Sequence, residues 1–184
     1  KKYLLDPSKD MHRDMAAELF MIPREEVPKP VRYQAKSSFV FAEFYGDYYA
    51  DKKDGSNGVT SNLWEGIERN GLEYNGRSLF EHLRAKGIDR KGLCNSEYSA
   101  EDGTFEKHIK EVERQFWDVR YTAYRDWRRQ WWRDYRDQGW FQMHTGFVVQ
   151  GIYGKNEVIN SPIQGSAFHC LLWVLIELDR WLRK

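Results

Sequence analysis

The sequence predicts a mainly α-helical domain with one small β-hairpin and one long helix, on three observations. From Phe105 to about Asp137, apolar side chains at 105, 109, 112, 116, 119, 124, 127, 131 and 135 recur at spacings of three, four and five, as one face of a helix requires. That is about 50 Å of helix at 1.5 Å per residue. Between Trp140 and Asn160 the pattern changes to alternating and β-branched patches with glycines at 146, 151 and 154, which reads as a hairpin. After Pro162, the run Ile163 to Trp181 is strongly apolar with no breaker beyond Gly165, so a final, largely buried helix is expected over 161–184.

The remaining elements follow in order. Asp10 precedes Met11–Phe20, whose apolar or small residues at 11, 15, 16, 19 and 20 fit an N-capped amphipathic helix ended by Pro23. Three prolines between Pro23 and Pro30 make an extended connector, and Val31 to Tyr45 runs as a second helix opened by proline. Residues 47–103 are rich in Gly, Asn, Ser and Asp and read as an insertion-like segment with short helices near Ser61–Asn70 and Ser78–Lys86. The long helix takes 105–138, stopped by Gly139, and the hairpin 140–160.

Composition narrows the class. A chain of 184 residues with 41% apolar and 16% aromatic content suits a single domain over 1–184 that buries about two-thirds of its unfolded surface. No window approaches the ~18 uncharged apolar residues of a membrane span, and Lys1–Asp6 lacks a signal peptide's apolar stretch, so an intracellular, cytoplasmic protein is expected. Cys94 and Cys170 belong to no Cys-x-x-Cys pair, which argues for reduced thiols over zinc or a disulfide framework. A net charge of +1 is too small to indicate nucleic-acid binding, so local pattern must carry that question. Between Arg120 and Arg136 six arginines interleave with Tyr121, Tyr124, Trp127, Trp131, Trp132 and Tyr135. Two readings stand: a stripe that tracks phosphates and stacks on bases, or core aromatics beneath a solvated arginine face.

In the second helix, Arg32 and Lys36 are four apart and share one face near an N-terminus whose free amides attract anions. A triphosphate suits that pair: Arg grips phosphate oxygens bidentately and Lys supplies a mobile point charge. The string Arg32-x-x-x-Lys36 followed by Tyr45-Gly46 resembles motif B in the fingers of family A DNA polymerases, phage members above all in the wording Phe39-Val-Phe41 and Phe44-Tyr45-Gly46. Upstream, Asp10-Met11-His12 resembles the family's Asp-x-His element, and downstream Asn160-Ser-Pro-Ile-Gln164-Gly165 resembles its Asn-x-Pro-x-Gln-Gly element. The three stand in the family's order and span nearly the whole chain.

The resemblance implies that the domain is a fingers subdomain, with 12–46 as its nucleotide-binding helices. His12, Arg32 and Lys36 would hold the incoming triphosphate, Phe41 would pack on its sugar, and Tyr45 would close the helix beside the templating base. Asn160 and Gln164 would reach minor-groove acceptors of the DNA primer-template. One departure matters: Lys36 to Tyr45 is nine residues where most members have eight. Counting back from Tyr45 gives Phe41 and counting forward from Lys36 gives Val40, so a π-bulge or register shift between Lys36 and Phe41 is expected, with Phe39 as a rival for the sugar. After Ala167, where many members place an Asp, this chain has Phe168-His169, and His169 is expected to be a packed histidine.

Family members join deoxynucleoside triphosphates through Mg²⁺ ions held by two palm carboxylates, one in an Asp-Tyr-Ser-like motif and one in a His-Asp turn. Neither motif occurs here. The expectation is therefore a fingers-containing fragment that binds no metal alone and works with a palm-bearing remainder of the polymerase, in the host cytoplasm for a phage protein. The alternatives are a single-subunit RNA polymerase fragment, which the third element disfavours, a stand-alone nucleic-acid-binding module using the arginine stripe, and a remnant without activity.

Overall fold

The computed structural model describes Asp6 and residues 9–183; the reading of the first residues otherwise lies outside them. The chain is mainly helical, with two small antiparallel strand pairs and a long C-terminal helix. It divides into two compact units between Arg120 and Tyr121, each taken by itself.

In the first unit Asp10 is extended, and its Oδ1 accepts from the amides of His12 and Arg13 at 3.0 and 3.1 Å. Those first-turn donors have no partner within a helix, so the carboxylate sets the start of α1 (Met11–Phe20). A 3₁₀ turn at Arg24–Glu26 interrupts the proline-rich connector. The second helix starts at Lys29, two residues before the expected Val31, because Pro30 suits the first turn. It runs as α2 (Lys29–Ala35), a π turn (Lys36–Val40) and α3 (Phe41–Tyr45), closed by Gly46 at φ 97°.

Then come α4 (Val59–Arg69), strands β1 (Glu73–Tyr74) and β2 (Arg77–Ser78), and α5 (Leu79–Ala85) with a Ser78–Glu81 capping box. The β1–β2 hairpin was not expected from sequence. Asn75 and Gly76 make its turn with φ of 53° and 71°, the double left-handed conformation that an Asn-Gly pair favours. Thr104 caps α6 (Phe105–Gln115), which continues into a π turn at Phe116–Arg120. Met15, Leu19, Phe20, Phe39, Leu63, Phe105, Ile109 and Phe116 form a solvent-free core between these helices. Helix α4 comes so close to α2 that a Cβ on Gly66 would stand 1.9 Å from Gln34 Nε2. The buried Gln34 amide donates to Ser38 Oγ at 2.8 Å and accepts from Asn70 Nδ2 at 3.0 Å, which satisfies both ends of the group.

The second unit contains α7 (Thr122–Gln138), β3 (Trp140–Gln142), β4 (Val148–Gln150) and α8 (Lys155–Leu182). Gly139 at φ 75° stops α7, and β3 pairs with β4 in the register Phe141↔Val149. The expected single helix over 105–138 is thus interrupted. Its apolar stripe breaks where the spacing reaches five, between Val119 and Tyr124: Val119 is 61% exposed, while Phe116 and Tyr135 belong to separate cores.

Two further expectations are corrected in α8. It begins at Lys155 and passes through Pro162 without stopping there. A proline cannot donate to the carbonyl four residues back, here Val158. That carbonyl accepts instead from Trp131 Nε1 at 2.9 Å, so the helix continues with its backbone satisfied. Replacing Trp131 by Phe is expected to cost about 1–3 kcal/mol, the penalty for an unsatisfied buried carbonyl, read from urea unfolding. Restoring the amide with Pro162→Ala should recover part of that loss; an equal cost in both backgrounds would rule this account out. Second, the helix is not largely buried: beyond Ser166 it is apolar on every side yet open, with Trp173 68% and Trp181 71% exposed.

Candidate functional site

Five of the seven residues singled out in the sequence meet on one surface of the first unit. The Asp10 carboxylate that caps α1 also holds Arg32 bidentately, with Nε to Oδ2 at 2.6 Å and Nη2 to Oδ1 at 3.1 Å. This joins the start of α1 to α2 and fixes the guanidinium plane, with Nη1 still without a partner among the described residues. Burial alone would raise the Asp10 pKa, but hydrogen bonds from Arg32 and the Arg13 amide bring it below the ordinary carboxyl value. His12, on the first turn of α1, packs edge-on to Phe41 with ring centroids 5.9 Å apart. Its pKa is lowered first by burial and then by the charges of Arg32 and Lys36, against Asp10, which keeps the ring neutral at pH 7. Its Nδ1 is buried without a partner among the described residues. Lys36 Nζ lies 5.2 Å from the centre of the Phe41 ring, and Phe41 meets Tyr45 edge-on at 6.4 Å. Two fixed or mobile cations, a neutral imidazole and two aromatic rings thus share one half-open face, able to grip an anionic group at one end and cover an apolar one at the other.

The π turn decides which aromatic belongs to that face. The Phe41 amide donates to the Lys36 carbonyl, five residues back, so one extra residue is taken up between them, as the spacing of nine predicts. Without it Val40 would follow Lys36 by one turn. Instead Val40 and Phe39 are fully buried, Phe39 edge-on against Phe116 at 5.4 Å, and Phe41 is 43% exposed beside Lys36. The rival Phe39 has no surface to offer a ligand.

Beneath Phe41 and Tyr45 lies a group of residues that no local pattern announced. Glu43 is 1% exposed and accepts from Trp117 Nε1 at 2.6 Å. Its carboxyl meets that of Glu113, which also accepts from the Tyr49 amide. Burial pushes Glu113 above its ordinary range, and the nearby Asp118 adds to it, while the contacts from Glu43, Tyr49 and Lys110 oppose it. A carboxyl that holds its proton more tightly folded than unfolded adds stability below the unfolded value of about 4.5, and that contribution is lost as pH rises through the folded value. Glu113→Gln keeps an uncharged donor in place. The variant is expected to lose less stability than the parent between pH 5 and pH 8 in urea unfolding; an unchanged difference would show that Glu113 is ionised throughout.

The other two residues belong to the second unit. Asn160, half-buried, and Gln164, exposed, stand one turn apart on α8. His169 is packed as expected, with Nδ1 2.7 Å from Thr145 Oγ1 and its ring against Phe147. Along α7 the structure favours core aromatics beneath solvated arginines: Trp131, Trp132 and Tyr135 pack with Phe141 and Val158, while Arg129, Arg133 and Arg136 are exposed. Cys94 and Cys170 are free thiols, and burial raises that of Cys94 to about 11. Among the described residues no three His, Cys, Asp or Glu side chains are placed to hold a metal ion, and no helix is long and apolar enough to cross a membrane. Comparison with family models, with curated proteins and with solved structures finds no match.

Proposed function

We propose that this chain is the fingers portion of a family A DNA polymerase, binding the incoming deoxynucleoside triphosphate and primer-template. The observation that carries the reading is the π turn. A motif one residue too long is accommodated so that Arg32, Lys36, Phe41 and Tyr45 share a face with His12, while Phe39 and Val40 go to the core. In this reading Arg32, held by Asp10, and Lys36 take the phosphates, and Phe41 lies under the sugar. His12 is neutral beforehand and donates from its ring nitrogen. Asn160 and Gln164 meet the minor groove. In a complete enzyme, palm carboxylates of the partner would hold Mg²⁺, which would activate the primer hydroxyl and neutralise charge on the leaving pyrophosphate. The all-round apolar surface of α8 also supports a partner, since such a helix is stable when enclosed.

The test is primer extension with highly purified chain, Mg²⁺ and all four triphosphates. Alone it is expected to be inactive, with Lys36-dependent extension on addition of a palm-bearing partner; extension without a partner would mean a carboxylate pair lies within these residues. The resemblance further implies that a phenylalanine under the sugar disfavours nucleotides lacking the 3′ hydroxyl. Phe41→Tyr should therefore improve dideoxynucleotide use in the complete enzyme. The same gain from Phe39→Tyr, a buried site, would break the assignment.

A further inference from the structure

A cavity of about 330 Å³ in the first unit shares no lining residue with the His12–Tyr45 surface and is lined by Arg90, Lys91, Leu93, Tyr98 and Glu106 among others. Its size is within the roughly 300–1,000 Å³ of small-molecule sites. Glu106 is 2% exposed, yet its carboxylate makes no hydrogen bond or ion pair among the described residues. The carboxylate opens on the cavity, where an occupant that brings donors would complete it. Gly92, at φ +101°, lies against that carboxylate: a Cβ there would stand 2.6 Å from Glu106 Cβ and Oε2.

Charge decides what kind of donor fits. Arg90 is paired with Glu101 at 2.6 Å, whereas among the described residues Lys91 reaches only Ser61 Oγ, at 3.3 Å, and has no carboxylate partner. A cationic occupant would meet Lys91 as well as Glu106, so a neutral donor edge attached to an anion fits both. At the opening Leu93 and Tyr98 are 71% and 62% exposed, apolar surface suited to the face of a planar ring. Among the common bases guanine alone carries two adjacent N–H donors, at N1 and the exocyclic amine, matched to the two oxygens of a carboxylate. We propose that this cavity binds the base of a guanine nucleotide, with Glu106 accepting from its donor edge, Tyr98 against the ring and Lys91 facing the phosphate. The inference is independent of the polymerase reading.

Calorimetric titration of the whole chain with GMP and AMP tests it. Saturable GMP binding is expected, with AMP weaker by about tenfold or more, the discrimination of a bidentate base contact. Glu106→Gln should weaken GMP by a similar factor. Tyr98→Ala, at an exposed position that cannot disturb the core, should weaken it by about tenfold through lost stacking. An oligonucleotide with one unpaired dG, run beside GMP, tells whether the base comes from a free nucleotide or a strand, and binding of either supports the site. No saturable binding of either, equal affinity for AMP, no effect of Tyr98→Ala, or arginine amide binding more tightly than GMP would overturn it.

Discussion

Lys36→Ala is expected to slow correct nucleotide incorporation by roughly 10- to 150-fold in an enzyme completed by a palm partner, the equivalent of the ~1.5–3 kcal/mol of a hydrogen bond to a charged group. Lys36 has no carboxylate partner among the described residues and rests over Phe41, so its ammonium is held near the face without being neutralised there. Removing it should therefore leave stability within about 0.5 kcal/mol of the parent, as for an ordinary surface change. Arg32→Ala should behave differently. It also leaves the Asp10 carboxylate, part-buried at the start of α1, without its bidentate partner, so incorporation and unfolding midpoint should fall together. Stopped-flow incorporation and urea unfolding on both variants separate the two roles. A full incorporation rate in Lys36→Ala would show that this helix face is merely solvated.

How much of this was legible depends on the range of the interaction involved. The face of the second helix was readable because Arg32, Lys36 and Tyr45 are related by turns of a helix, and the conflict between counting forward to Val40 and back to Phe41 itself predicts an inserted residue. The β1–β2 hairpin was missed: the dipeptide Asn75-Gly76 was its one local signal, and its two-residue strands are too short for any alternation to show. The spacing of five before Tyr124, read as part of one continuous helix face, falls where the structure interrupts the long helix. Partners distant in sequence were not legible. Periodicity says that Glu43 or Trp131 lies on an inward face; it does not say that Glu43 meets Glu113 or that Trp131 replaces the donor Pro162 lacks. The exposure of α8 was hidden for the same reason, since an all-round apolar run specifies burial without specifying by what.

Gly58→Ala is expected to destabilise the first unit by about 3 kcal/mol, at the upper end of overpacking costs, even though its φ of −84° is open to any residue. The obstacle is space. A Cβ on Gly58 would stand 2.0 Å from the Ala50 carbonyl oxygen and 2.9 Å from that of Tyr48, and backbone atoms cannot swing aside as a side chain would. The segment it would displace is tied down on both sides. Val59 and Thr60 donate their amides to Tyr48 and Tyr49, while the Gly58 amide and Ser61 hydroxyl bind Asp51 at 2.8 and 3.0 Å. Tyr49 in turn donates to Glu113, beneath the helix that carries Phe41 and Tyr45, so separating the backbones loosens the support of the candidate site. Gly55→Ala is the control, because Gly55 has the opposite problem: φ +84° but nothing within 4 Å of a new Cβ. It should cost only the left-handed strain of about 1–2 kcal/mol. Urea unfolding of the two variants side by side decides the matter; a larger loss at Gly55 than at Gly58 would mean that the 48–51 segment yields to the added methyl and does not brace α4.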